Sequence, residues 1–318
     1  MTLIGSKAIR QRRKIRENGF LNEDGHNHTW RSDGNFGILD LVVFHHLLGF
    51  KRLVITDHDF LSGEKNIGKA WWVKTVCRLL GVEVEYGVEF TSRLDIGFLG
   101  LKKKHAGIHL VGRGFDPDHP IIRAVLRMMA ESRMDRAGDL LLEIKRRNPD
   151  LVMPEFLRKK DGVMTSTDVA MQVCVENPQL ELLAFAKLLQ TDENYHMYYE
   201  KADTEELIRA IKESGGKAIL AHPVKALRKN YRHLDEIAGR LAPLGLDGIE
   251  VFVRGQSPGQ MAEIIEVCIK HGLRIYAGSD THWERDLVDY AELMVEYSED
   301  PEVLLWLEKY GEMMACGR

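Results

Sequence analysis

The chain has 318 residues and a formal net charge of −4, with 44% apolar and 29% charged residues, the proportions of an ordinary globular protein. That charge excludes a general attraction to nucleic acid or an anionic membrane, and no window approaches the roughly 18 apolar residues of a membrane span. Cys77, Cys174, Cys268 and Cys316 are scattered without a C-x-x-C pair, which reads as reduced thiols in a cytoplasmic protein rather than a disulfide framework or a zinc ribbon.

Residues 1–22 form a basic arm, with SKAIRQRRKIRENG at its centre. No apolar stretch follows the basic residues, so it is not read as a secretory signal. A solvated terminal helix is the plain expectation, and contact with a partner or a nucleic-acid backbone is the alternative.

From residue 23 short β-favouring runs end in polar residues and most lead into a helical stretch. The runs are EDGHNH (23–28), RLVITDH (52–58), VEYGVEF (84–90), GIHLVGRG (107–114), KAILAHP (217–223), DGIEVF (247–252) and RIYAGSDTH (274–282). Amphipathic segments such as ILDLVVFHHLLG and TEELIRAIKESGG lie between them. This alternation predicts a parallel α/β architecture, and seven such strands suggest a closed or nearly closed barrel whose chemistry gathers at the C-terminal strand ends. The rhythm stops over residues 116–201. There HPIIRAVLRMMAESRMDRAGDLLLEIKRRN predicts one long helix with a stripe at Ile122, Leu126, Met129, Ala137, Leu141 and Ile144. The expected organisation is therefore a first barrel part over 23–115, a helical insertion or cap over 116–201, and a second barrel part over 202–318 that ends in a packing helix.

The thirteen histidines fall in telling places. In a strand, His26 and His28 share one face. Alone, such a pair could be one surface and one hydrogen-bonded core histidine. The other strand ends change the balance, because they carry Asp57 and His58, Glu89, His109, His222, and Asp280 with His282. Buried ionisable groups are expensive unless paired or bound to metal. So many at one barrel mouth point to shared cations, and mixed imidazole and carboxylate ligands suit Mn²⁺, Fe²⁺ or Zn²⁺.

The stretches H-N-H-T-W-R-S-D-G, I-T-D-H-D, G-V-E, A-H-P and G-S-D-T-H resemble, in order and jointly, the PHP family of polymerase and histidinol phosphatase domains. One departure is Gly25, where the family usually has an apolar residue. The resemblance implies a distorted (β/α)7 barrel with a helical insertion and two to three divalent ions. It implies one ion on His26, His28, Glu89 and Asp280, a second on Glu89, His109 and His222, and a third on Asp33, His58 and His282. Asp57 and Asp59 are expected to orient imidazoles, and Glu250 is not counted as a ligand.

Clustered divalent ions suit phosphate ester hydrolysis. The expected reaction is attack of metal-bound hydroxide on phosphorus, with Asp280, His282 and Glu89 carrying it. That reaction demands no protein nucleophile. ESRMDRAGDLL, HLVGRGFD and EELIRAIKESGGKAILAHP resemble a PHP subgroup with a helical insertion. Its members include phosphatases of nucleoside 3′,5′-bisphosphates, enzymes that trim RNA 5′ ends, and one that opens a cyclic ribose phosphate. Arg133, on the apolar stripe of its helix, is a candidate phosphate ligand; a structural ion pair is the competing reading. Arg136, Arg254, Lys225 and Arg113 are further candidates.

The leading expectation is a metal-dependent phosphoesterase acting on a small phosphorylated metabolite, best a nucleotide. The alternatives are a 5′–3′ exonuclease on short oligonucleotides and, from a different class, a non-catalytic metal-stabilised binding module. Histidinol phosphatase fits the insertion less well, and a polymerase accessory role lacks a polymerase module. The sequence is silent on oligomeric state.

Overall fold

A computed structural model describes residues 22–62, 71–102, 104–157, 159 and 161–315. The basic arm, apart from Asn22, and Cys316 lie outside the described residues. The fold is α/β, a curled sheet with helices packed on its outside. Its strands are β1 (Glu23–Asn27), β2 (Arg52–Ile55), β3 (Glu83–Asp95), β4 (His105–Arg113), β5 (Ala202–Asp203), β6 (Lys217–Leu220), β7 (Leu246–Phe252) and β8 (Arg274–Ala277). The path runs β1-β2-β3-β4-β6-β7-β8, with the two-residue β5 beside β3. Each of the seven expected runs supplies a strand, and β5 is an addition too short to leave a pattern.

The expectation of an all-parallel sheet fails at one strand. β4 runs antiparallel to both β3 and β6. The cause is the connection. A parallel crossover needs about a dozen residues or more, and residues 96–104 are too few. They instead make a 3₁₀ turn over Gly97–Leu99, closed by Gly100 in the left-handed region, and send the chain straight back.

The two edges of the sheet meet where their strands end. Asn27 and Thr281 form a parallel bridge. His28 N–H donates to the Thr281 carbonyl at 3.0 Å, and Asp280 N–H donates to the His26 carbonyl at 3.0 Å. Buried Asp24 ties this seam: its Oδ1 accepts from Ser279 N–H at 2.8 Å, and its Oδ2 lies 3.1 Å from His45 Nε2. His45 comes from α1 (Ile38–Leu48). Gly25 permits the close approach, because a Cβ there would lie 2.6 Å from the Ala277 carbonyl oxygen.

After α2 (Trp71–Leu80), the long predicted helix is α3 (Pro120–Arg147). Its stripe serves two cores. Ile122 and Met129 pack into the main apolar core with Phe90, Ile108, Leu220 and Ile249. Ala137, Leu140 and Ile144 pack with Val169, Ala170 and Val173 of α4 (Ser166–Glu176) and Phe185, Ala186 and Leu189 of α5 (Leu182–Thr191). Leu126 and Leu141, also on the expected stripe, are partly buried against these clusters. A Thr165–Asp168 capping box starts α4, so the helix satisfies its first N–H groups locally. No helix among the described residues is long and apolar enough to cross a membrane.

The remaining helices are α6 (Thr204–Glu213), α7 (Pro223–Leu227), α8 (Leu234–Leu241), α9 (Pro258–His271), α10 (Glu284–Tyr297) and α11 (Pro301–Ala315). The tight seam gives a test. Gly25→Ala should destabilise the protein by about 1–3 kcal/mol through overpacking, read as a lower denaturant midpoint with an unchanged slope. An unaltered midpoint would show that β1 and β8 do not need this contact.

Candidate metal centre

Glu89 sits on β3 at the mouth end of the parallel strands and is fully buried. Five imidazoles surround its carboxylate. Oε1 lies 2.6 Å from His109 Nδ1 and 2.7 Å from His222 Nε2. Oε2 lies 3.2 Å from His26 Nε2, 3.1 Å from His28 Nε2 and 2.9 Å from His58 Nδ1. On the far side, Asp280 Oδ1 is 3.4 Å from His28 Nε2 and 3.8 Å from His26 Nε2. Asp33 faces His282 Nε2 at 3.2 Å and His58 Nε2 at 3.6 Å.

All nine residues expected as ligands therefore converge. Three sets offer ligand atoms close enough to share an ion: His28, Asp33, His58 and His282; His26, Glu89, His222 and Asp280; and His58, Glu89 and His109. This grouping moves His28 toward the Asp33 set and His222 toward the Asp280 set, relative to the sharing that the resemblance implies. His26, His28, Glu89 and Asp280 still lie around one another, with His26 Nε2 and His28 Nε2 only 3.1 Å apart.

Glu89 Oε1 is hydrogen-bonded to His109 Nδ1 and His222 Nε2, but hydrogen bonds do not satisfy the whole cluster, and the remainder suits cations. Asp33 Oδ1, His58 Nδ1, Glu89 Oε2 and His222 Nδ1 are buried without a hydrogen bond. His58 Nδ1 and Glu89 Oε2 are close without hydrogen-bond geometry, a contact that suits two ligands of one ion. The charges agree. Burial favours the neutral acid, yet His58, His109 and His26 hold the Glu89 carboxyl well below the usual range. Burial opposes ionisation of Asp33 too, but His282 and His58 keep it low, and Lys225 and His222 do the same for Asp280. In return, burial opposes protonation of His282 while Asp33 and Asp280 push its pKa up to about 9. Burial wins at His109, whose pKa falls to about 4. The carboxylates demand positive charge, which protons or metal ions can supply.

Backbone placement explains the convergence. Asp59, His222 and Asp280 adopt φ of 51°, 25° and 53°, a region that side-chain-bearing residues rarely enter. Each turns sharply as the chain leaves its strand. His109 reaches the cluster differently, from the middle of the antiparallel β4.

The residues that orient the imidazoles differ from those expected. Asp57 touches no imidazole: it accepts from Thr29 N–H and Oγ1, both at 2.7 Å, from Ser32 Oγ at 2.6 Å, and from Ser62 Oγ. It fixes the loop after β1, and Ser32 Oγ in turn lies 3.3 Å from His28 Nδ1. Asp59 pairs with Arg133 and accepts from Thr91 N–H at 2.7 Å. The direct partner is Glu250, which the sequence reading left without a role. Its Oε1 lies 2.9 Å from His26 Nδ1, and its Oε2 accepts from His222 N–H at 2.8 Å. Gly278 leaves room for this pair, since a Cβ there would lie 2.5 Å from His26 Cβ and 3.0 Å from Glu250 Oε1. A glutamate within an otherwise apolar strand was the available signal.

A cavity of about 630 Å³ opens over the cluster, lined among others by Asp33, Glu89, His109, Arg133, Arg136, Lys225 and Asp280. Arg133 is buried and takes the structural reading: its Nε and Nη2 hold Asp59 Oδ2 at 2.6 and 2.5 Å, and Nη2 also donates to Thr91 Oγ1 at 3.1 Å. Arg136 has no carboxylate partner among the described residues. Its guanidinium lies 5.1 Å from the Tyr199 ring centre, and its Nε is buried without a partner. Lys225 Nζ donates to Asp280 Oδ2 at 2.5 Å. Arg254 does not line the cavity. It donates to the Ser279 and Asp280 carbonyls at 3.1 and 3.4 Å and pairs with Asp286 at 2.7 Å, bracing the loop that carries Asp280. Arg113 lies at the opposite end of the sheet, paired with Glu23 and Glu85, because the antiparallel β4 ends where its neighbours begin.

No protein-family model matches the chain. The chain is 26% identical over 261 residues to a 5′-3′ exoribonuclease of Haemophilus influenzae, covering 82% of this chain and 89% of that one. It is 24% identical over 264 residues to a 3′,5′-nucleoside bisphosphate phosphatase of Chromobacterium violaceum, covering 82% and 87%. Among solved structures, a Bifidobacterium adolescentis protein described as a metal-dependent phosphoesterase superimposes with a TM-score of 0.67 at 23% identity, covering 82% and 88%.

Glu250 carries the test of this centre. Glu250→Gln keeps the shape but removes the charge on His26 Nδ1, and should weaken metal binding by about 10–100-fold. Metal content after dialysis against graded free Mn²⁺ would read this, with circular dichroism confirming the fold. Unchanged retention would remove Glu250 from the centre.

Proposed function

We infer that this chain, a relative of the PHP metal-dependent phosphoesterases, hydrolyses a phosphate ester of a small nucleotide-like metabolite such as a nucleoside 3′,5′-bisphosphate. The observation that carries the reading is the convergence of Glu89, Asp33 and Asp280 with six imidazoles, of which His58, His109, His222 and His282 line one cavity. We read the fold as a distorted (β/α)7 barrel and the helices α3, α4 and α5 as a cap inserted over its mouth. The cavity, about 630 Å³, falls within the roughly 300–1,000 Å³ range of small-molecule sites.

His26, His28, Asp33, His58, Glu89, His109, His222, Asp280 and His282 would hold two to three divalent ions. When bound, such ions neutralise phosphate oxygens and make a water molecule acidic enough to serve as the nucleophile. The protein's own groups then position the ester. Lys225 Nζ, beside Asp280 and facing the cavity, meets a phosphate oxygen of the reacting group. Arg136, a cavity guanidinium without an acidic partner, binds a second phosphate or another anionic part of the substrate. Arg133 keeps Asp59 and Thr91 in place and lends positive charge from behind. Asp280, His282 and Glu89 act by holding the ions and form no covalent bond to phosphorus.

One observation favours a second reading. The exoribonuclease of Haemophilus influenzae is slightly more similar to this chain, at 26% identity, than the bisphosphate phosphatase, at 24%, so 5′–3′ trimming of short RNA competes for the same site. Phosphate release with added Mn²⁺ separates the two. The panel is adenosine 3′,5′-bisphosphate, AMP, histidinol phosphate, a cyclic ribose phosphate and a short RNA. Fast release from the bisphosphate alone supports the nucleotidase reading, release of mononucleotides from RNA supports the exonuclease, and no release from any of them contradicts both.

Chelation should abolish turnover and Mn²⁺ should restore it. Asp280→Asn should abolish turnover with the fold intact; wild-type activity and metal content in that variant would contradict its role. Arg136→Ala should raise KM by about tenfold or more, as for a lost charge-assisted hydrogen bond, with kcat moved less. A loss confined to kcat would place Arg136 elsewhere in the reaction.

A further inference from the structure

The lining of the cavity over the cluster mixes two chemistries. Charged and titratable groups include Asp33, His58, Glu89, Arg133, Arg136, Lys225 and Asp280. Apolar surface comes from Leu182, Leu183 and Ala186 on α5 and from Trp283 at the start of α10. Leu183 and Trp283 are 62% and 43% exposed, and Trp283 belongs to none of the apolar cores. Large apolar side chains left open beside so many charges mark a surface made for a ligand.

Trp283 is also held in place. Its backbone N–H donates to Asp286 Oδ2 at 2.9 Å, and the backbone N–H of His282 donates to the same oxygen at 3.0 Å. Asp286 is gripped by Arg254, which also holds the carbonyls of Ser279 and Asp280. The indole therefore rides on the braced loop that carries Asp280 and His282, directly after His282 in the chain. A ligand reaching from the cluster to this ring must combine an anionic end with a flat apolar end.

We propose that Trp283 and the α5 face formed by Leu182, Leu183 and Ala186 are a subsite for the planar base of the substrate. The base stacks on the indole and lies against the leucines while the phosphate end meets the charged groups. Stacking on an aromatic ring tolerates any base, because each has a π-face, so this subsite selects for the presence of a base rather than its identity. The proposal rests on the phosphoesterase reading and deepens it: it makes Trp283 the residue that separates nucleotides from sugar phosphates without a base.

The test measures binding rather than turnover. Titrate Mn²⁺-loaded wild type, Trp283→Ala and Trp283→Phe with AMP and with ribose 5-phosphate by calorimetry. Trp283→Ala should weaken AMP by about tenfold or more, the scale of one lost base stack, and leave ribose 5-phosphate unchanged. Trp283→Phe should restore most of the AMP affinity, because a phenyl ring still stacks. The proposal is overturned if the alanine variant binds AMP like wild type, if it loses both ligands equally, or if wild type does not favour AMP over ribose 5-phosphate. Phosphate release by wild type, measured separately, decides the phosphoesterase reading, so either can fail without the other.

Discussion

A buried carboxylate with five imidazoles around it is the constraint on which the rest of this structure depends. Glu89 is fully buried, and an isolated ionised carboxylate in such a place would be prohibitively costly. Its oxygens are met by His26, His28, His58, His109 and His222, which arrive from four separate chain segments. The curled sheet aims these four segments at one point. The antiparallel β4 belongs to the same requirement, because it carries His109 back past Glu89 from the opposite direction.

The backbone bears the cost of that convergence. Asp59, His222 and Asp280 sit at positive φ, each costing on the order of 1–3 kcal/mol. Other groups hold them there. Glu250 accepts from His222 N–H, the His26 carbonyl accepts from Asp280 N–H, and Arg133 grips Asp59. Gly25 and Gly278 give the two edges of the sheet room to meet beside His26. Stability and site are thus the same network seen twice: the hydrogen bonds that close the seam between β1 and β8 also set the positions of His26, His28 and Asp280.

Much of this was legible in the sequence, for a physical reason. Period-two alternation put His26 and His28 together, and a His, Asp or Glu at nearly every strand end announced a shared purpose. The strand runs themselves were distinct because each is short, apolar and ended by a polar turn. What stayed hidden depends on long-range partners. The reversal of β4 lay in the shortness of residues 96–104, a length signal that periodicity does not carry. Asp57 and Asp59 looked like partners for imidazoles because they flank His58, but their side chains turn to Thr29, Ser32 and Arg133 instead. Arg254 is a candidate phosphate ligand in one dimension, and Arg133 a candidate with a structural ion pair as the competing reading; in three dimensions both are braces. Glu250 was visible on its strand, yet only the position of His26 gives it a task.

On the function proposed above, divalent cations complete the gathering of Glu89 and its imidazoles. Anomalous X-ray scattering from crystals soaked in Mn²⁺, recorded at the manganese edge, tests it most directly. The account predicts two or three strong peaks, with at least one in contact with Glu89 and a His26 or His222 nitrogen, and another between Asp33, His58 and His282. A difference map with no anomalous peak in the cluster would contradict it.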